Sequence, residues 1–184
     1  GLKNVSPKVA LIAARKMTDD QDIWVRSAAV ELLGDEGGTE AVEEIRGYLK
    51  SYDVPIKLAA SAGLVKLGEK HYIKEVLEPL THPIPDRRYQ AIGHLGKIGT
   101  KEVLPHLVKL FEHTEPEMVF YSLKALEGKA TLEMLPRLRE LTKHPNHDIR
   151  QAAAMAMSNL PEAEADLIPL CADKDGLVKL SAAV

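Results

Sequence analysis

DRRYQAIGHLGKIGTKEVLPHLVKLF, residues Asp86 to Phe111, reads as one helical hairpin, and its spacing recurs along the chain. Stepping by 31 residues through Arg88 gives Arg26, Lys57, Arg88, Val119 and Arg150, four of the five basic. Three residues later come Ala29, Ala60, Ala91, Ser122 and Ala153; seven residues later come Leu33, Leu64, Leu95, Leu126 and Met157. Both rows fall on one side of a helix. The position before the basic one is apolar in Val25, Ile56, Met118 and Ile149, with Arg87 as the exception. Stop signals follow at Gly37, Gly68, Gly99, Ala130 and Pro161, since glycine adopts the left-handed conformation that closes a helix and proline cannot continue one.

A second helix is expected after each stop. Thr39, Thr100 and Thr131 are placed to cap it through their hydroxyls, and Glu40, Glu102 and Glu133 suit the positive end of its dipole. Pro105 and Pro136 hold the same place in two of these helices, where each is expected to remove a hydrogen bond and bend the first turn. Measured from Arg150, Pro169 lies two residues later than Pro105 does from Arg88, so a small insertion is expected around Pro161 to Ala165. A helix of the second type is read from Val5 to Met17, and a new first helix begins near Leu177.

A fixed period of this length belongs to units that bury their apolar faces only by stacking on one another. The expectation is therefore an all-α chain, an α-solenoid of about five to six short hairpins, running as one array over residues 1–184. Because Gly1 replaces an initiating methionine and Val184 lies inside a new helix, the chain reads as a fragment of a longer protein.

The pattern V-R-x-x-A-x-x-x-L-G, as in Val25 to Gly34, followed by V-L-P-x-L, as in Val103 to Leu107, resembles the short HEAT-like repeat of phycobilisome lyase subunits and many other scaffolds. The resemblance covers about residues 5 to 180 and implies a right-handed solenoid whose second helices line the concave face. It is specific for architecture and not for role. It also suggests one alternative to a binding scaffold, a subunit of a bilin lyase, and the fragment reading suggests another, a regulatory repeat domain of a larger enzyme.

Composition bounds the rest. Apolar residues make up 45% of 184 and aromatics 4%, so the core must be built from Ala, Leu, Val and Ile. A net charge of −3 gives no global electrostatic reason to expect nucleic acid. No apolar run reaches the roughly 18 residues of a membrane span. The single cysteine, Cys171, excludes an internal disulfide and fits a cytoplasmic location.

Candidate chemistry is sparse. No H-E-x-x-H, C-x-x-C or nucleophile elbow occurs, GHLGKIGT lacks the order of a phosphate loop, and neither a catalytic set nor a cofactor is expected. His82, His113 and His144 recur at second-helix ends. His113, His144 and His147 are candidate metal ligands, weighed against a hydrogen-bonding role at helix C-termini. The basic row lies among Asp22, Asp53, Asp86 and Asp148, which suits a structural charge ladder.

Two surfaces are candidates for a protein partner. Projection at 100° per residue turns Ser27, Leu58, Tyr89, Phe120 and Gln151 outward, with an apolar patch at Leu58, Tyr89 and Phe120. The second helices project acidic Glu43, Glu44, Glu75 and Glu78 early in the chain. Later they project basic His106, Lys109, Arg137, Arg139 and Lys143, a polarised groove that would orient a partner.

Overall fold

A computed structural model of the protein describes residues 6–183. The expected helix start at Val5 and the chain ends at Gly1 and Val184 lie outside the described residues. The fold is all-α, an α-solenoid of helical hairpins. The first helices of the hairpins are α2 (Ile23–Glu36), α4 (Val54–Lys66), α6 (Pro85–Ile98), α8 (Pro116–Ala125), α10 (His147–Met157) and α12 (Gly176–Ala182). The second helices are α1 (Pro7–Met17), α3 (Val42–Tyr48), α5 (Ile73–Leu77), α7 (Leu104–Lys109), α9 (Leu135–Leu141) and α11 (Glu164–Leu167). Two compact units are distinguished, Gly1–His94 and Leu95–Val184.

The 31-residue rows make the core. Ala29, Ala60, Ala91 and Ala153 are fully buried, as is Ser122, and so are Leu33, Leu64, Leu95, Leu126 and Met157, every one at 0% exposure. Small side chains in one row let neighbouring helices approach, and the leucines of the other fill the space between them. In the first unit the approach is closest at Gly34 of α2, where an added Cβ would lie 2.7 Å from the Cα of Gly63 in α4.

Two of the expected stops, Gly68 and Gly99, take the left-handed conformation, and two others shift along the chain. The positive-φ glycines are Gly38, Gly68, Gly99 and Gly128, so Gly38 rather than Gly37, and Gly128 rather than Ala130, takes the left-handed conformation. No hydroxyl cap forms at Thr131, and the Gly38–Ala41 turn is capped by no side chain. Side-chain caps belong instead to first helices: Asp22 accepts from the Trp24 amide, Asn146 from that of Asp148, and Asp175 from those of Leu177 and Val178. These second helices are entered through 3-10 turns, whose i to i+3 bonds leave little for a threonine to cap.

Proline position decides how long a second helix runs. Pro105 and Pro136 stand in the first turns of α7 and α9, where the missing N–H has no intrahelical acceptor in any case. They start those helices and cost no hydrogen bond, contrary to expectation. Pro79 and Pro169 come later, and there the α-helix gives way to 3-10 turns at Glu78–Thr81 and Ile168–Ala172.

The last repeat is shortened rather than lengthened. First helices begin at residues 54, 85, 116 and 147, then at 176, so the final step is 29 and not 31. The loss falls after α10. Met157 is followed by the extended residue Leu160, three positions on, whereas Leu126 is followed by the extended Thr131, five on. No positive-φ glycine serves this tighter turn; the Asn159 side-chain amide instead donates to the Ala130 carbonyl oxygen at 3.1 Å.

Candidate functional site

The residue two places before each first-helix N-cap does the same work in every repeat. The Asp22 amide donates to the Asp20 carboxylate, that of Asp53 to the Ser51 hydroxyl, and that of Asp175 to the Asp173 carboxylate. In the three middle repeats the acceptor is imidazole Nδ1: His82 accepts from Ile84 at 3.0 Å, His113 from Glu115 at 3.1 Å and His144 from Asn146 at 3.1 Å. The recurring histidines therefore pin the loop into each first helix, and His113 and His144 spend on an amide the lone pair that a metal would need. His147 instead stands 3.4 Å from Asp148 and 3.6 Å from Asp175. Among the described residues no group of His, Cys, Asp and Glu has the geometry of a metal site.

The basic row reads out the same loops. Arg26 donates to the carbonyls of Asp20 and Gln21, Arg88 to those of His82 and Pro83, and Arg150 to those of His144 and Pro145. Arg26 and Arg150 also reach the following repeat. Arg26 meets Asp53 at 3.1 Å, and Arg150 makes a two-pronged pair with Asp173, both bonds 2.8 Å. The Arg150 guanidinium and the Asp175 amide hold the Asp173 carboxyl down at about 2, and the carboxylate in turn raises Arg150.

At Lys57 this ladder stops. The position that gives Arg26 its carboxylate holds Ile84 here, 48% exposed, and the one that gives Arg150 its carboxylate holds His82. One residue before Arg88, where Ile56 and Met118 are buried and Ile149 is at 0% exposure, stands Arg87. In place of a closed joint the first unit has a cavity of 740 Å³. Leu49, Val54, Leu58 and Tyr72 line it alongside Lys57, Arg87 and His82 on one hand and Glu75 and Glu78 on the other. The Arg87 guanidinium stands 2.9 Å from His82 Nε2. Among the described residues neither Lys57 nor Arg87 forms an ion pair.

Two of the residues expected at a partner surface meet here. Leu58, projected outward, is 4% exposed and shares the cavity wall with Glu75 of α5. The projection fails because α4 has no solvent-facing stripe: every residue from Leu58 to Val65 is buried. Glu31 of α2 and His94 of α6, 3.2 Å apart, meet across repeats that flank it. LAASAGLV, without a charge between Lys57 and Lys66, carries that signal.

The other candidates are separately occupied. Tyr89 is half-buried with the Arg88 guanidinium 5.9 Å from its ring centre; Phe120 is half-buried, edge-on to Tyr121, with the Lys124 ammonium at 5.6 Å. Glu44 pairs with Arg15 at 2.9 Å, Arg139 with Asp166 at 2.8 Å, and Arg137 with both Glu140 and Glu112. Burial, then Lys109, lowers the His106 imidazole, so His106 adds no charge at neutral pH. Lys109 is exposed. Glu44, Arg137 and Arg139 of the expected charged surface are thus engaged in ion pairs within their own units. Two exposed rings lie outside the repeat pattern, Trp24 at the start of α2 and Tyr52 in the loop before α4; a lone tryptophan beside an N-cap is the available signal in the sequence.

Residues 73–158 match the family model for HEAT repeats. Over those residues the repeat is HEAT-like. No curated protein matches the chain by sequence. Among solved structures, one from the complex of CpcE and CpcF of phycocyanin lyase from Nostoc sp. PCC7120 superposes with a TM-score of 0.54 at 21% identity, covering 97% of this chain and 74% of that one. An Escherichia coli protein, YibA, gives 0.59 at 16% identity, with 96% and 71% covered. Human deoxyhypusine hydroxylase in complex with glycerol gives 0.51 at 17%, with 99% and 79% covered. At such identities the likeness is one of fold alone. No helix among the described residues is long and apolar enough to cross a membrane.

Proposed function

We propose that this HEAT-like chain is a non-catalytic scaffold that binds a protein partner, and that the partner docks at the cavity beside α4. The observation that carries the reading is the cavity itself. It is a cleft open to solvent, and its 740 Å³ lies within the roughly 300–1,000 Å³ of binding sites. Its wall combines apolar side chains with charges of both signs, the mixture that fixes a segment's position through burial and its register through charge.

A photo-crosslinking residue placed at Glu78, on the cavity wall, and separately at Lys124, beside Phe120, tests the placement in living cells. The reading expects one discrete protein adduct from position 78 and none from 124. Adducts only from 124 would move the contact to the aromatic pair, and adducts from neither would remove the scaffold reading.

A further inference from the structure

The cavity also specifies what should enter it, an inference that rests on the scaffold reading. Two departures from the repeat's own pattern mark the site, beside a histidine that recurs in three repeats. Arg87 stands where Ile56, Met118 and Ile149 are buried, and Ile84 stands at the place from which Asp53 receives Arg26. Two cations, Lys57 and Arg87, therefore face one half-buried space without the carboxylate that the same architecture supplies to Arg26 and Arg150. A guanidinium drawn from water is stabilised best by a bidentate carboxylate, and here none is built in. Leu58 and Val54 of α4 line the space beside them, offering an apolar surface one helical turn deep. Glu75 and Glu78 line it too, and would repel a ligand dense in negative charge.

We infer that the cavity takes a peptide segment of the partner bearing one acidic side chain next to an apolar one, with the carboxylate received by Lys57 and Arg87 and the apolar group laid on Leu58 and Val54. The two glutamates select against polyanionic segments and favour a basic residue on the other flank. The partner, in effect, supplies the missing rung of the ladder.

The test begins with selection of a displayed library of random peptides, each about 12 residues, on the wild-type chain. Selected peptides are then titrated by calorimetry, each beside a counterpart with its Glu or Asp changed to Gln or Asn. Enriched sequences are expected to share one acid adjacent to an apolar residue, and neutralising the acid should weaken binding at least tenfold. Arg87→Met, which restores the apolar residue of the pattern and should fold at least as stably, is expected to cost a similar factor, while Lys124→Gln changes nothing. Enriched peptides that lack an acid, or that bind Arg87→Met as tightly as wild type, would overturn the inference and leave the scaffold reading standing. Selection of no peptide at all, with crosslinks absent from position 78, would overturn both.

Discussion

Two joints between repeats, built on the same pattern, end in opposite states. At the joint after α10, Val178 of the following first helix is fully buried, Arg150 spans to Asp173, and the pair is nearly sealed, with side chains 7% and 10% exposed. At the joint after α4, the corresponding places hold Lys57, His82, Ile84 and Arg87, and a cavity opens. The backbone plan is common to both: each first helix starts after a side chain that accepts the amide two residues on. A handful of side chains thus converts a structural joint into a binding-sized space without altering the repeat. Repeat proteins permit this because each interface is close to a nearest-neighbour term, so one joint can be opened while the others hold the array.

The largest effect should come from moving the open joint's feature into the closed one. Val178→Arg puts an unpaired cation where exposure is 0%, and an uncompensated buried charge costs about 3–5 kcal/mol. Urea unfolding should show a loss of that order. A loss below about 1 kcal/mol, the level of an ordinary surface change, would show that the slot admits a cation freely, and Arg87 would then not account for the cavity.

A smaller effect is expected from removing the rung that the open joint lacks. Asp173 has its carboxyl lowered from 3.8 to about 2 by Arg150 and the Asp175 amide. A depressed acid stabilises the folded state fully above its unfolded pKa and loses that contribution as pH falls through the folded one. Asp173→Asn should therefore melt below wild type at neutral pH, and the gap should close between pH 3.8 and about 2. The check is a series of thermal melts across that range; a gap that stays constant with pH would mean that the substitution removes shape rather than charge. At the open joint no equivalent acid limb exists to remove.

These two joints also show how much the residues alone disclose. Periodicity places every core row, because the Ala and Leu positions recur whether a joint is open or closed, and burial follows them without exception. The exceptional Arg87 is visible as a departure from the apolar row, but its consequence is not: the gap also involves residue 84, which lies in a loop that periodicity does not score. Projection misplaces Leu58 for a related reason. It assumes that a helix has a wet side, and α4 is enclosed by its neighbours. Residue type suggests metal ligands or cationic caps for the histidines, whereas their meaning lies in position. Asp20, Ser51 and Asp173 fill the same place with the same hydrogen bond, and aligning that place across repeats reveals a shared acceptor.

The smallest change is the most discriminating, because it should move stability and binding in opposite directions. Ile84 occupies the position at which Asp53 receives Arg26, and it is 48% exposed. Ile84→Asp offers Lys57 a carboxylate from the chain itself. An exposed or half-exposed pair contributes only about 0–1 kcal/mol, so the melting temperature should rise slightly or not at all. Binding of an acidic peptide should nonetheless fall several-fold, since the internal carboxylate competes for the cation that the peptide would use. Ile84→Asn, of the same size and without charge, separates competition from lost apolar contact: it should leave the peptide bound more tightly than Ile84→Asp does. Equal losses in the two variants would assign the effect to the isoleucine side chain and detach Lys57 from the site. A loss confined to the aspartate, with stability unchanged or improved, would identify the gap in the ladder as the feature that the partner reads.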